Sequence, residues 1–177
     1  MAIAIIGSGI SGLTAAYYLT QSGFDVRVLA HDKYKTGFGD HFVQECTLNA
    51  ILEQADVISF HIPQNKETLF MANVQLFDRI QKPFYLLNLS RGKIVDTASL
   101  VNGLKSGKIL GAGLDVLEYE KSSFEAFFEQ EIPEDFAYLL QAKNVILTPH
   151  VGGWTTESYY KLSAVLADKI LDYYQLT

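Results

Sequence analysis

Short apolar runs that stop on glycine or polar turns recur along the chain, and helical patterns fall between them. Ala2 to Ile6 is the first run and ends in Gly7-Ser8-Gly9-Ile10-Ser11-Gly12. Leu13 to Gln21 carries Leu13, Ala16, Tyr17 and Leu19 at helical spacing, with Gly23 as a stop. Val26 to Leu29 reads as a second strand, and His31 to Glu45 as a polar loop. Helices are predicted over Leu48 to Gln54 and Val74 to Ile80, with a strand from Val57 to Phe60 between them. Phe84 to Leu89 is continuously apolar, the pattern of a parallel strand buried on both faces. Thr97 is the expected cap of a helix reaching Lys105, and Ile109 to Val116 is the next strand. Lys121 to Asp135 is acidic and aromatic and reads as an irregular excursion. Phe136 to Gln141 reads as a helical turn and Val145 to Leu147 as a strand. Thr155 opens a final helix with Leu162, Val165, Leu166, Ile170 and Tyr173 on one side.

This alternation predicts an α/β fold with a doubly wound parallel sheet of the Rossmann type. At 177 residues, 49% of them hydrophobic, the chain suits a single three-layer domain over 1–177. A formal charge of −6 argues against nucleic acid or an anionic membrane surface as partner. Cys46 is the sole cysteine, so no internal disulfide forms, and a cytoplasmic location is expected. No run approaches the roughly 18 apolar residues of a membrane span. The first residues lack a positive leader, so no signal peptide is expected. No His/Cys/Asp/Glu cluster has metal-ligand spacing.

Three apolar strands end in polar turns: Asn88-Leu89-Ser90-Arg91-Gly92, Gly113-Leu114-Asp115-Val116 and Thr148-Pro149-His150-Val151-Gly152-Gly153. In open α/β sheets ligands bind at that edge. Gly7-x-Gly9-x-x-Gly12 follows a strand and opens a helix, the context a dinucleotide-binding loop requires. Its glycines, with Ile10 and Ser11 between them, would bring backbone N–H groups to a pyrophosphate. Asp32 is the candidate acid for the ribose hydroxyls. Strand length would put that acid at Ala30, two residues and roughly 6.6 Å earlier. Asp32 as an ordinary loop cap is the alternative. Lys33 and Lys35 leave room for the 2′-phosphate of NADP, although NAD is preferred.

From about His31 onward the chain resembles the D-isomer-specific 2-hydroxyacid dehydrogenases. The matching pieces are Ala55-Asp56-Val57-Ile58-Ser59-Phe60-His61-Ile62-Pro63, Glu67-Thr68 and the three strand-end turns above. The first thirty residues look different. They are similar to the FAD-binding fingerprint of amine-oxidase-like flavoproteins, whose acid would fall at Ala30. The two resemblances meet near residues 30–32, as expected of a chimera junction. A natural sequence with a convergent glycine loop is the alternative.

The resemblance implies three catalytic roles. Arg91 would grip the substrate carboxylate and carbonyl in a bidentate fork. His150 would supply the proton to the developing alkoxide. Glu120 would hold that imidazole, with Glu118 a bystander. Asp115 would bond the nicotinamide carboxamide. His61, Pro63, Thr68, Leu89, Ser90, Gly152 and Gly153 would line the coenzyme. The family's substrate domain is formed mostly by residues before the glycine loop, so it is expected to be largely absent from this chain.

The expected function is therefore NAD binding, with weak or no turnover of a 2-keto or 2-hydroxy acid. The alternatives are a flavin oxidoreductase using FAD, and a recombined or engineered scaffold without turnover. The resemblance also implies a homodimer.

Overall fold

The computed structural model describes residues 2–6, 26–119 and 132–174. The glycine loop, the predicted helix from Leu13 to Gln21, Glu120 and the aromatic run through Phe124, Phe127 and Phe128 lie outside the described residues. Seven strands are described: β1 (Ala2–Ile6), β2 (Arg27–His31), β3 (Val43–Glu45), β4 (Val57–Phe60), β5 (Phe84–Asn88), β6 (Ile109–Leu114) and β7 (Val145–Leu147). They form one sheet in the order β3-β2-β1-β4-β5-β6-β7, with every neighbouring pair parallel. The described helices are α1 (Leu48–Gln54), α2 (Val74–Arg79), α3 (Thr97–Ser106), α4 (Glu134–Gln141) and α5 (Thr156–Tyr174).

The chain moves outward from β1 through β2 to β3, then returns to β4 on the other side of β1. That reversal is the topological switch point, where open α/β sheets leave a crevice for ligand. From β3 onward each crossover moves in the same direction. Right-handed crossovers then place α1, α2, α3 and α4 on one face.

Local chemistry sets the helix starts. Thr47 Oγ1 accepts the Ala50 N–H, and Asn73 Oδ1 accepts the Leu76 N–H. Asp96, rather than Thr97, caps α3 by accepting the Ser99 N–H at 3.0 Å. Gly107 ends α3 in the left-handed region at φ +75°, a conformation that costs glycine little.

The main core lies between the sheet and α1 to α4. Ile51, Phe77, Phe84, Leu86, Leu100 and Ile109 are all buried there. Each such side chain contributes about 1.5–3 kcal/mol by leaving water.

Several elements differ from the sequence expectation. β2 runs two residues past Leu29 to His31, and β6 stops at Leu114 rather than Val116. β3 falls inside the stretch read as loop. It has only three residues, of which Val43 alone is buried, so its apolar signal was minimal. The helical turn at Phe136 is an eight-residue helix beginning at Glu134.

β5 is not buried on both faces. Phe84, Leu86 and Asn88 are buried on the helix side, while Tyr85 on the other side is 49% exposed. Ile146 of β7 is 70% exposed. The apolar positions Val165, Leu166, Ile170 and Tyr173 of α5 are likewise exposed.

No described helix is long and apolar enough to cross a membrane.

Candidate coenzyme and substrate site

Strand register brings the candidate residues to one rim. Ile6 pairs with His31 on one side and Phe60 on the other. Phe60 pairs with Asn88, Asn88 with Leu114, and Leu114 with Leu147. The next residue along each of these strands is Asp32, His61, Leu89, Asp115 or Thr148. Five segments separated by up to 116 positions thus turn away from the sheet at the same level.

The turn carrying Arg91 is organised by Asn88, which is fully buried. Asn88 Oδ1 accepts the Ser90 N–H at 3.2 Å and the Ser90 hydroxyl at 2.9 Å. Its Nδ2 donates to the Arg91 carbonyl at 2.9 Å. Asn88 also accepts the Asp115 N–H on its own carbonyl at 3.0 Å. The side-chain amide therefore fixes the backbone on both sides of Ser90, while the main-chain carbonyl ties β5 to the end of β6. Arg91 Nη1 donates to the Ser90 carbonyl at 2.6 Å.

Asp115 is 6% exposed, and both its oxygens engage the loop after β7. Oδ1 accepts the Thr148 hydroxyl at 2.6 Å and the Val151 N–H at 2.9 Å. Oδ2 accepts the Gly152 N–H at 2.8 Å. A Cβ at Gly152 would lie 2.8 Å from Asp115 Oδ2, so the absence of a side chain permits this approach. His150 sits inside the same loop at φ +56°, a conformation uncommon for a non-glycine residue. Asp115 thus holds the backbone that presents His150.

Two cavities open along the rim. The larger, about 520 Å³, has Leu48, Ile62, Pro63 and Met71 as apolar walls and Asp32 and Thr68 at its edge. The smaller, about 480 Å³, lies between His61, Pro63, Leu89, Ser90 and Arg91. His61 and Pro63 belong to both, so the two are adjacent ends of one groove. Apolar walls suit a base, and a carboxylate at the end of β2 suits ribose hydroxyls. His150 lines neither cavity.

Asp32 is the first residue past β2, while Ala30 is inside the strand and 2% exposed. The rim position expected at Ala30 therefore belongs to Asp32, because β2 extends to His31 without a bulge against β1. Asp32 also braces its own turn. Its Oδ1 accepts the Tyr34 and Lys35 N–H groups at 2.8 and 3.0 Å. The two readings of Asp32, rim acid and loop cap, describe one residue.

His61 receives or gives a hydrogen bond at Nε2 with Ser59 Oγ, 2.7 Å away. Burial lowers its pKa below the ordinary 6.5, because desolvation disfavours imidazolium. Neutral His61 supports the fold fully above about pH 6.5. Stability should fall as pH drops below that value, because the unfolded chain takes up the proton first. Melting curves at pH 7.5 and pH 5 should show this loss in the native chain and a smaller one in His61→Asn. An equal loss in both would exclude His61 as the source.

Among the proposed site residues, Gly153 is open: beyond its immediate chain neighbours nothing lies within 4 Å of where a Cβ would stand. Gly7, Gly9, Ile10, Ser11, Gly12 and Glu120 lie outside the described residues. Two supporting residues escaped the sequence reading of the site, Asn88 and Thr148, and Glu118 was weighed there only as a bystander beside Glu120. Glu118 is no mere bystander of the fold, because its Oε2 accepts the Thr97 N–H at the start of α3, 2.9 Å away. Its partner is 21 residues distant, so spacing carried no signal.

Comparison with known proteins bears on the family and the fold. Residues 1–152 match the family described as D-isomer specific 2-hydroxyacid dehydrogenase, NAD binding domain. The match begins at residue 1, so it takes in the first thirty residues, for which the sequence suggested a flavoprotein-like fingerprint. D-lactate dehydrogenase of Lactiplantibacillus plantarum is 32% identical over 165 residues, 92% of this chain and 49% of that protein. An aromatic 2-oxoacid reductase of Clostridium sporogenes is 30% identical over 161 residues, 89% of this chain and 48% of its own length. The NAD-complexed D-isomer specific 2-hydroxyacid dehydrogenase of Lactobacillus delbrueckii ssp. bulgaricus superposes with a TM-score of 0.83 at 30% identity. That likeness covers 99% of this chain and 53% of the other. The chain spans about half the length of the curated relatives it matches.

Proposed function

We propose that this chain, which belongs to the D-isomer specific 2-hydroxyacid dehydrogenase family as an NAD-binding domain, carries the coenzyme half of a 2-keto acid reductase site. The observation that supports the reading is the common rim, where Asp32, His61, Leu89 and Asp115 emerge at the level at which their strands end and Arg91 follows in the turn that Leu89 opens.

The larger cavity takes the adenosine end of NAD(H), with Asp32 toward the ribose. The smaller cavity beside Arg91 takes the nicotinamide end and the substrate carboxylate. NADH, when bound, would supply the hydride. Arg91 grips the carboxylate with a planar guanidinium, and the buried Asn88 amide keeps its turn in place. His150 donates the proton that the new alkoxide requires, from a loop held by Asp115. Glu120 enters this reading only through the family motif. The substrate is a small 2-keto or 2-hydroxy acid, in keeping with what the D-lactate dehydrogenases and the 2-oxoacid reductase are named for.

Hydride transfer needs reacting atoms held within a fraction of an ångström. Among the described residues the groove is an open rim, so binding should survive far better than turnover. NADH titrated into the chain should quench Trp154, the sole tryptophan, which directly follows Gly152-Gly153 and is 67% exposed. Saturable quenching with only slow oxidation of NADH by pyruvate or glyoxylate is the expected result. Absence of saturation in both fluorescence and calorimetry would overturn the site assignment.

A further inference from the structure

Two loops face each other across the larger cavity, and they are joined by side chains far apart in sequence. Lys33 Nζ lies 2.8 Å from Glu67 Oε2. The Tyr34 hydroxyl donates to the same carboxylate oxygen. Lys33 Nζ also lies 5.2 Å from the centre of the Tyr34 ring. All three residues line the cavity. Lys33 and Glu67 are 62% and 52% exposed, so the cluster sits at the mouth rather than in the wall.

Each loop is braced from within. In the first, Asp32 accepts the Tyr34 and Lys35 N–H groups. In the second, Asn65 Oδ1 accepts the Glu67 and Thr68 N–H groups at 2.8 and 3.1 Å. The Thr68 hydroxyl donates to the Pro63 carbonyl at 2.6 Å. Exposed ion pairs add little to stability. Two preorganised loops that meet on one carboxylate oxygen therefore invite a reading in terms of charge placement at the pocket.

We propose that Glu67 is a coenzyme-selectivity residue: it latches Lys33 and Tyr34 across the mouth of the adenosine pocket and keeps the Lys33 charge from serving a 2′-phosphate. The inference rests on the assignment of the larger cavity to adenosine. Lys33 directly follows Asp32, the residue proposed to face the ribose. A lysine there would ordinarily attract the nearly doubly charged 2′-phosphate of NADP(H). Glu67 neutralises it, and with Asp32 it balances Lys33 and Lys35 among the residues lining the cavity, so that phosphate meets no net positive charge. The 2′-hydroxyl of NAD(H) carries no such charge and is indifferent to the change. The pairing holds the Lys33 ammonium above its ordinary pKa, chiefly through the Glu67 hydrogen bond and then Tyr34. It holds the Glu67 carboxyl below its own, chiefly through Lys33 and then Tyr34. Both groups are therefore charged at neutral pH.

Glu67→Gln keeps the length and the hydrogen bond to Tyr34 while removing the negative charge. Calorimetric titration of the chain with NADH and NADPH tests the idea. NADPH should bind about tenfold tighter to Glu67→Gln than to the native chain, and NADH should change less than about twofold. Adding Lys33→Met should abolish the NADPH gain, because the freed ammonium is its source. The gain should also collapse near 1 M salt, where the Debye length is about 3 Å. An unchanged ratio of NADPH to NADH affinity in Glu67→Gln, with NADH still bound, would overturn the latch alone. A native chain that binds neither coenzyme would overturn the pocket assignment and the latch with it.

Discussion

Gly92→Ala should lower the stability of the chain by about 3 kcal/mol and loosen the Arg91 turn. A Cβ at Gly92 would lie 1.9 Å from the Leu117 carbonyl oxygen, 2.2 Å from its carbon and 2.8 Å from the Glu118 nitrogen. These are backbone atoms, so no side-chain rotation relieves the overlap. Nor is the 115–119 segment free to retreat. The Asp115 N–H is bonded to the Asn88 carbonyl, and Glu118 is bonded to the Thr97 N–H. Alanine must therefore wedge apart the two turns that follow β5 and β6. For a domain of this size the expected drop in Tm is about 6–12 °C. NADH affinity should fall as well, because Leu89, Ser90 and Arg91 line the smaller cavity. Gly153→Ala is the control. Beyond its immediate chain neighbours nothing lies within 4 Å of where a Cβ would stand, so its Tm should stay close to that of the native chain. Equal melting of the two variants would show that the close approach at Gly92 does not exist in solution.

That contact also marks where sequence reading stops. Parallel strands were legible because they are short apolar runs ended by polar turns, as at Phe84 and Val145. Their common rim was legible too, because α/β topology brings strand ends to one edge whatever the loop sequences are. β3 was not legible, because Val43-Gln44-Glu45 buries a single side chain and has no period to detect. The exposure of Tyr85 was missed for the opposite reason: an apolar run looks the same whether one face or both are covered. The site divides along similar lines. Arg91 and Asp115 stood out as polar residues in turns after apolar strands, and the structure places both past the ends of β5 and β6. Residues that hold those ends in place did not stand out. Asn88 reads as the polar tail of a strand, and its three side-chain hydrogen bonds become visible only once the turn has folded back over it. Glu118 and Thr148 reach partners 21 and 33 positions away. No periodicity encodes such pairings.

Asp115→Ala should have the other large effect, because one carboxylate satisfies three donors in the His150 loop. Removing it leaves the Thr148 hydroxyl and the Val151 and Gly152 N–H groups without their acceptor. Part of that deficit is made good by water, since Gly152 is exposed while Thr148 and Val151 are only half-buried. The expected cost is about 2–4 kcal/mol, read as a lower midpoint in urea. The loop should feel the change more than the core does. His150 occupies its φ of +56° because surrounding bonds over-determine it, and the Asp115 contacts flank it directly. With those gone, the segment from Thr148 to Gly153 should sample extended conformations, and the neighbouring Trp154 should show lower emission anisotropy. NADH affinity should fall about tenfold through lost preorganisation. Asp115→Asn separates geometry from charge. Its amide oxygen can replace Oδ1 toward Thr148 and Val151, but its NH2 group must then face the Gly152 N–H, donor against donor. The asparagine variant should therefore lie between the native chain and alanine in stability. Its protection loss in hydrogen exchange should be concentrated at Gly152. If Asn and Ala instead match, the negative charge outweighs the number of bonds, and Asp115 acts chiefly as an anion beneath the loop.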